Sequence, residues 1–536
     1  MKRKIIYFTV MISMLSFYSC SKDFTETPQK AVISLDNYFT NLDECQSFVG
    51  GLYKSFAAWE DWTQSYVRFT NEMSTDDAWM GNLNQSSSAN YAFAFYTITA
   101  SNAPWPLTNY YASKYVNILA CNVAINKLPN TSISDDNKNK LIGQAKFFRA
   151  FSYWELVQNF GDVVLTKDVM STSQLNKERS PKDSVYAAIV ADLKDAASKL
   201  PATWTGNDVG RVTKGACKAL LARTYLFMKD YKNAFAYADT VIKSGNYSLE
   251  PKFVNIWSCT NHNGVESIFE SQTSSNQSYA VGNQFPVVLN ARGEKWATNE
   301  TSKAMDGWGW CVPTSNLEKA YKSEGDSIRL KSTIIRLGLP VYGDSIDNPH
   351  YRFDSTLNKS CRTWRKMYVP IAIRQSLTAK DGHVPLDMIL LRLGEMYLIR
   401  AEAAYFLSQP DQALADINTL RARVNLPAKT GLTGNNLLYA IWKERRLELA
   451  NEGIRLYDLR REIDPVANKK MIDVVMGTNG TFVQYNATST DYWEKIHTKE
   501  PSDKGSAFIE GKHELWPIPQ SEIDRSNGKV TQNPGY

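Results

Sequence analysis

The sequence predicts a mostly α-helical fold in which helices stand in antiparallel pairs and carry long, irregular insertions. Three observations predict it. Apolar residues recur at three- and four-residue spacing through several long stretches, the signature of helices with one buried face. One stretch, Thr213–Gly245, fits two such helices into about 34 residues, the tetratricopeptide period. Between the periodic stretches lie segments rich in Gly, Asn, Ser and Trp that show no helical period.

The N-terminus sets the compartment. Lys2, Arg3 and Lys4 precede an uncharged, apolar run from Ile5 to Tyr18, closed by Ser19 and Cys20. That run is too short to span a bilayer and reads as a secretory signal over residues 1–19. A small residue before Cys20 makes a lipobox, in which the cysteine is acylated and becomes the first mature residue. Phe17 stands three positions before it, where Leu is usual, and the alternative is cleavage near Ser19 to give a soluble periplasmic protein. Residues 20–30 are polar and unpatterned and read as a lipidated tether, anchored to the membrane without spanning it. The most apolar later stretch, Leu386–Ile399, carries Asp387, Arg392 and Glu395 and reads as a core helix.

Composition narrows the function classes. Of 536 residues 22% are charged and 43% hydrophobic, ordinary for a globular chain with a large core. Loss of Lys2, Arg3 and Lys4 takes the formal net charge from +6 to +3, too little to call for nucleic acid. Aromatic residues make up 12%, and several of the 14 Trp fall in polar, glycine-rich loops where packing alone does not require them. Beyond Cys20 the cysteines, 45, 121, 217, 259, 311 and 361, form no CxxC and have no His at ligand spacing, so a zinc site is not expected. Disulfides are permitted by the compartment, with no connectivity legible.

Helices are expected near Leu35–Trp59 and Pro106–Leu128. Leu141, Ala145, Phe148, Ser152 and Leu156 share a face of a helix that stops at Gly161. A β-like run, Val163–Thr166, leads to a helix opened by Ser180 as N-cap with Pro181 at its first position, and closed by Pro201. In the Thr213–Gly245 pair, Asp230 is a plausible cap, and small Ala residues at the facing positions let the helices approach closely. A further pair is expected over Asp387–Val424, its second helix opened by Pro410 and Asp411. A last helix runs over Leu437–Ala450. The scaffold thus occupies about 31–60, 106–245 and 386–462 of one domain, 31–536. Loop-rich insertions fill about 61–105, 247–385 and 463–510, and insertions of that length are commonly functional.

Five segments resemble signatures of the SusD/RagB family of outer-membrane lipoproteins. They are Ala145–Gly161, Gly210–Ala216 with the apolar run after it, Leu391–Ala403 with Ile417–Arg423, Glu444–Gly453 with Tyr457–Arg460, and the close at Leu515–Pro519 and Gln532–Tyr536. The resemblance implies a fold of four tetratricopeptide-like helical pairs with an irregular ligand-facing region. It also implies a non-enzymatic role: a surface lipoprotein that takes oligosaccharide, or peptide in the RagB branch, and passes it to a SusC-like TonB-dependent barrel.

Sugar capture needs flat aromatic faces for pyranose rings and Asn, Asp or Arg for the hydroxyls. Two segments have that composition. The first contains Arg68, Asp77, Trp79, Asn82 and Tyr91; the second contains Trp296, Trp308 and Trp310. Alternate residues of an extended strand point the same way, so Trp308 and Trp310 are expected to share a face, with glycines keeping it open. Trp59, Trp62 and Trp364 read as core. Glu444, Arg445, Arg446, Glu448, Arg455, Asp458 and Arg460 could be taken for catalytic carboxylates with helpers, but so many arginines beside them point to a structural ion-pair network, and Arg223, Arg400 and Arg421 read alike. No catalytic motif, cofactor or resident metal is expected; Asp344–Asn348 is a weak calcium candidate. Beside the glycan reading stand a peptide binder, a tetratricopeptide scaffold without small ligand, and a helical glycosidase.

Overall fold

The computed structural model describes residues 38–536 except 55, 57–61, 82–88, 100–104, 171–175, 275, 277–281, 298–299, 302–306, 338–340, 342–357, 359, 377–383, 478 and 483–503. The signal, Cys20, the tether, Trp59, Asn82 and the calcium candidate at 344–348 lie outside the described residues. The chain is mostly helical, as expected. Its long helices are α1 (Leu42–Lys54), α2 (Trp62–Met73), α3 (Trp105–Lys127), α4 (Asp135–Phe160), α5 (Lys182–Lys199), α6 (Lys214–Phe227), α7 (Tyr231–Ile242), α8 (Leu393–Phe406), α9 (Pro410–Arg423) and α10 (Gly434–Leu449). From α3 to α9 each packs against the next, and α10 packs against α8.

Local chemistry sets the ends of these helices. The Ser134 hydroxyl accepts from the Asn137 N–H at 3.4 Å, opening α4 with Asp135 and Asp136 favourably placed in its first turn. Gly161, at φ +70°, ends it. Thr213 caps α6 through the Ala216 N–H at 3.1 Å, and Asp230 caps α7 through Asn233 at 3.1 Å. The facing alanines are fully buried: Ala216, Ala222, Ala234 and Ala238 between the central helices, and Ala401, Ala404 and Ala413 farther along.

Four local expectations are corrected. Ser180 is not the cap of α5, because its backbone pairs with Val163 in an isolated bridge, all that forms of the β-like run. The Asp162 carboxylate instead accepts from the Lys182 N–H at 2.8 Å. Met388–Arg392, read as the start of a core helix, is strand β8; it pairs antiparallel with β2 (Ser267–Ser271), and α8 begins only at Leu393. A short apolar run does not distinguish a buried strand from a buried helix. Finally, α2 lies in a stretch read as loop, hidden there by polar residues that turn out to be buried, Thr70, Asn71 and Glu72.

The other strands come in short antiparallel pairs: β1 (Ala78–Gly81) with β5 (Trp310–Pro313), β3 (Lys295–Ala297) with β4 (Glu300–Thr301), and β6 (Ile334–Arg336) with β7 (Arg362–Trp364). One hydrophobic core runs from α1 to the C-terminal segment and takes in Trp364 and Trp516. Cys45, Cys121, Cys217, Cys259 and Cys311 are buried thiols. No helix among the described residues is long and apolar enough to cross a membrane.

Buried arginines fasten the insertions to this frame. Arg392 reaches Glu266, Glu448 and Glu452 at 2.7–2.8 Å. Arg329 reaches Glu444 at 2.6 Å and Glu448 at 3.1 Å, while Arg445 holds Asp458 at 2.7 Å. Arg223 pairs with Glu395, Arg400 with Asp416 and Asp239, and Arg421 with Glu324 and Glu444. Arg460 differs: it donates to the carbonyls of Gln158 and His513 and lies over the Trp516 ring. The charged cluster is therefore structural, and its carboxylates are consumed by arginine. Burial pushes the Glu448 carboxyl up, but Arg423, Arg392 and Arg329 outweigh it and hold the group well below its usual range.

Candidate functional site

The site is built where β1 and β5 meet. Gly81 stands opposite Trp310 in the register, and the strands close so tightly there that a Cβ on Gly81 would lie 1.9 Å from the Gly309 carbonyl oxygen. Gly81 is also at φ +83°, so no other residue serves this approach. The turn leading into β5 is pinned by its backbone: Trp308 N–H donates to Val287 and Gly309 N–H to Asn290, each at 2.8 Å.

This turn presents two indoles. Trp308 is 37% exposed and Trp310 is half-buried, their ring centroids 5.0 Å apart and their planes at 63°. They meet on one side, as expected, though not by strand alternation: the strand starts at Trp310, and Gly309 bends the chain at φ +67°. The result is an angled corner in place of a flat shelf. Trp310 rests on Phe69 (6.2 Å), which in turn meets Phe285 edge-on (6.4 Å).

Phe69 and Phe285 also line a narrow cleft that opens to solvent. Its walls come from four elements. Arg68 and Glu72 stand one turn apart on α2, Met388 and Ile389 lie on β8, Phe285 and Leu289 on a short helix, and Asn451–Gly453 follow α10. Trp257, Met367 and Asp387 complete it.

Its charges are mutually satisfied. Arg68 pairs with Glu155 at 3.1 Å. Asp387 accepts from the Thr273 N–H (2.8 Å) and hydroxyl (2.9 Å) and lies 2.6 Å from His262. Glu452 takes Arg392 and Lys366, each at 2.7 Å. Glu72 is the exception. It is 2% exposed, one oxygen accepts from the Gly453 N–H at 2.8 Å, and the other has no hydrogen-bond partner. Burial, with the Asp77 charge added, pushes its carboxyl up to about 8, so it is neutral at pH 7. The cleft thus offers apolar rings and polar groups with little net charge.

The first predicted segment is largely interior. Trp79 is 5% exposed, its ring edge-on to Phe95 at 5.8 Å, and Tyr91 is half-buried, stacked on Phe95 at 4.2 Å. Trp79 therefore presents no face to a ligand, which corrects the expectation. Asp77 is fully buried and bonded to Arg446 at 2.6 Å. It is a structural anchor; with Asp76, held by Arg455 at 3.0 Å, it ties the segment before β1 to the frame. Within that pair, burial raises Asp77, whereas the arginines outweigh burial and hold Asp76 low. Arg68 does reach the cleft. Trp296 lies in β3, its side chain outside the described part. Sequence reasoning missed Phe69, Trp257, Phe285 and Asn451–Gly453. Phe69 was hidden by the loop reading of its segment, and Trp257, over which Lys366 sits at 4.0 Å, carried no motif.

Among the described residues no His, Cys, Asp and Glu group has the makings of a metal site. A rigid helical frame thus holds an aromatic corner beside a cleft whose charges are largely paired, an arrangement suited to binding. Comparison gives the family. The profile of the SusD family matches residues 265–536, and that described as "Starch-binding associating with outer membrane" matches residues 27–226. The chain belongs to the SusD family. A SusD-like protein P2 of Formosa agariphila is 26% identical over 98% of this chain and 99% of its own length. A SusD-like protein of Bacteroides ovatus is 22% identical over 98% and 93%. Among solved structures, a laminarin-binding SusD-like protein superposes with a TM-score of 0.75 at 24% identity, covering 93% of this chain and all of the other. Surface glycan-binding protein A of Bacteroides thetaiotaomicron, in complex with laminarihexaose, gives 0.71 at 20% identity over 92% and 99%.

Proposed function

We propose that this protein is a cell-surface glycan-binding lipoprotein, anchored through Cys20 to the outer membrane. It captures oligosaccharides and hands them to a SusC-like TonB-dependent barrel. The observation that carries the reading is Trp308, an exposed indole set at an angle to Trp310 beside a cleft whose charges are nearly all neutralised in place. An indole face suits the C–H face of a pyranose, and the second ring at 63° suits a chain that curves past the first. Relatives named for laminarin and glycan binding support the same ligand class.

The charge balance speaks against the peptide alternative, which calls for unpaired acids and bases to meet termini and charged side chains. A scaffold without small ligand has no use for the aromatic corner. Glycan and peptide arrays probed with the full chain in detergent decide between these readings: retention on neutral glycans, lost in Trp308→Ala, is expected. Retention on peptides alone refutes the glycan reading. Affinity capture from outer membranes tests the partner, and recovery of no barrel protein refutes the handover.

A further inference from the structure

A second groove lies at the other use of the helical frame, between the start of α7, the end of α8 and α10. It encloses about 690 Å³ counted to open solvent and shares no lining residue with the cleft. Its most prominent feature is a stacked pair. Tyr231 lies behind Phe406 with centroids 4.0 Å apart and planes at 12°, and Tyr405 meets Phe406 edge-on at 5.0 Å. Phe406 is nevertheless 41% exposed, so a ring already fixed on one face is open to solvent.

Trp442 supplies the second observation. It lines the groove, is 5% exposed, and its indole N–H has no hydrogen-bond partner. A buried donor of this kind is uncommon and calls for an acceptor. The buried charges of the wall are paired, and Lys229 adds an exposed cation at the rim. Glu402 takes two N–H bonds from Arg461, at 2.5 and 2.8 Å, and the same guanidinium donates to Asp458 at 2.8 Å. Glu462 is pushed up to about 8, first by burial and then by the Asp458 charge, and is neutral at pH 7. Burial pushes the Tyr231 hydroxyl up to about 12, keeping its proton.

We propose that this groove is a second carbohydrate-binding site: it seats an uncharged pyranose ring on Phe406, with a sugar oxygen accepting from the Trp442 indole. An exposed, backed aromatic face, an unanswered donor and buried charges already paired together select a ring that carries acceptors, with Lys229 at the rim as a further donor. The choice of sugar among such rings rests on the glycan reading above. A polysaccharide longer than the cleft would then be held at two places on one molecule, raising its retention through effective concentration.

Titration calorimetry of the full chain in detergent tests this, with laminarihexaose, maltohexaose and xylohexaose as probes. Wild type, Trp308→Ala, Phe406→Ala and Trp442→Phe are compared, each with its melting curve. Two sites are expected in wild type and one each in Trp308→Ala and Phe406→Ala. Trp442→Phe keeps an aromatic ring, removes the donor, and is expected to weaken the second site about tenfold while lowering Tm by no more than about 2 °C. A single site, abolished in Trp308→Ala and untouched in Phe406→Ala and Trp442→Phe, overturns the second site and leaves the first. Binding that survives Trp308→Ala but is lost in Phe406→Ala supports the second site and overturns the assignment to Trp308. No binding of any hexaose by any of the four proteins overturns both.

Discussion

Trp79 and Trp308 look alike in the sequence, each an indole within two residues of a glycine, and the structure gives them opposite surroundings. Replacing each by alanine tells them apart. Trp79 is 5% exposed and packed against Phe95, so its removal leaves a cavity and costs about 3–5 kcal/mol. With an unfolding entropy of about 2.1 cal/mol/K per residue, a chain of 536 residues has about 1.1 kcal/mol/K at the midpoint. The expected fall in Tm for Trp79→Ala is therefore about 3–5 °C. Trp308 is 37% exposed and meets Trp310 edge-on, so Trp308→Ala costs about 1 kcal/mol and shifts Tm by about 1 °C. Calorimetry of the same preparations gives the other half. Trp308→Ala is expected to lose at least about tenfold in oligosaccharide affinity, or about 1.4 kcal/mol, whereas Trp79→Ala below its Tm keeps most of it. A Trp79→Ala protein that melts like wild type yet no longer binds would refute the burial argument and return Trp79 to the ligand.

Three other expectations follow from particular contacts. Gly81→Ala places a methyl against the Gly309 carbonyl and is expected to part β1 from β5, lowering both Tm and affinity while leaving far-UV circular dichroism helical. Arg392→Ala removes the cation shared by Glu266, Glu448 and Glu452, leaving them Arg423, Arg329 and Lys366, and is expected to cost about 3 kcal/mol in chemical unfolding, with an unchanged midpoint as the contrary result. Glu72 titrates at about 8 in the folded chain against about 4.3 unfolded, so between those values the folded state holds the extra proton and stability falls as pH rises. Glu72→Gln removes that loss, and melting at pH 5 and pH 8.5 is expected to show a larger gain at the higher pH.

The scaffold was legible because its determinants are local. The cap at Asp230, the stop at Gly161 and the alanine seams each act within a few residues, and each behaves as its spacing implies. Determinants that act across the chain were not legible. Ser180 has the chemistry of a cap, but its backbone was claimed by Val163. Met388–Arg392 has an apolar run that serves strand or helix equally, and only Ser267–Ser271, more than a hundred residues earlier, makes it a strand. Asp77 and Trp79 have the composition of a sugar site. What buries them is Arg446, on α10, and Phe95, neither of which can be placed by reading the residues nearby. The exposure of Trp308 was legible because glycine stands on either side of it, a signal that is local.

The pairing of β2 with β8 has a consequence for how such a protein changes over time. The two strands join residues 267–271 to 388–392 and so bring the ends of everything between them into register. Once a neck of that kind is closed, lengthening or shortening what it encloses is cheap, since each doubling of a flexible span costs only about 0.6 kcal/mol in closure. The parts of that stretch that make no bond back to the frame can therefore be lengthened or exchanged, while the helices on either side of the neck stay in place.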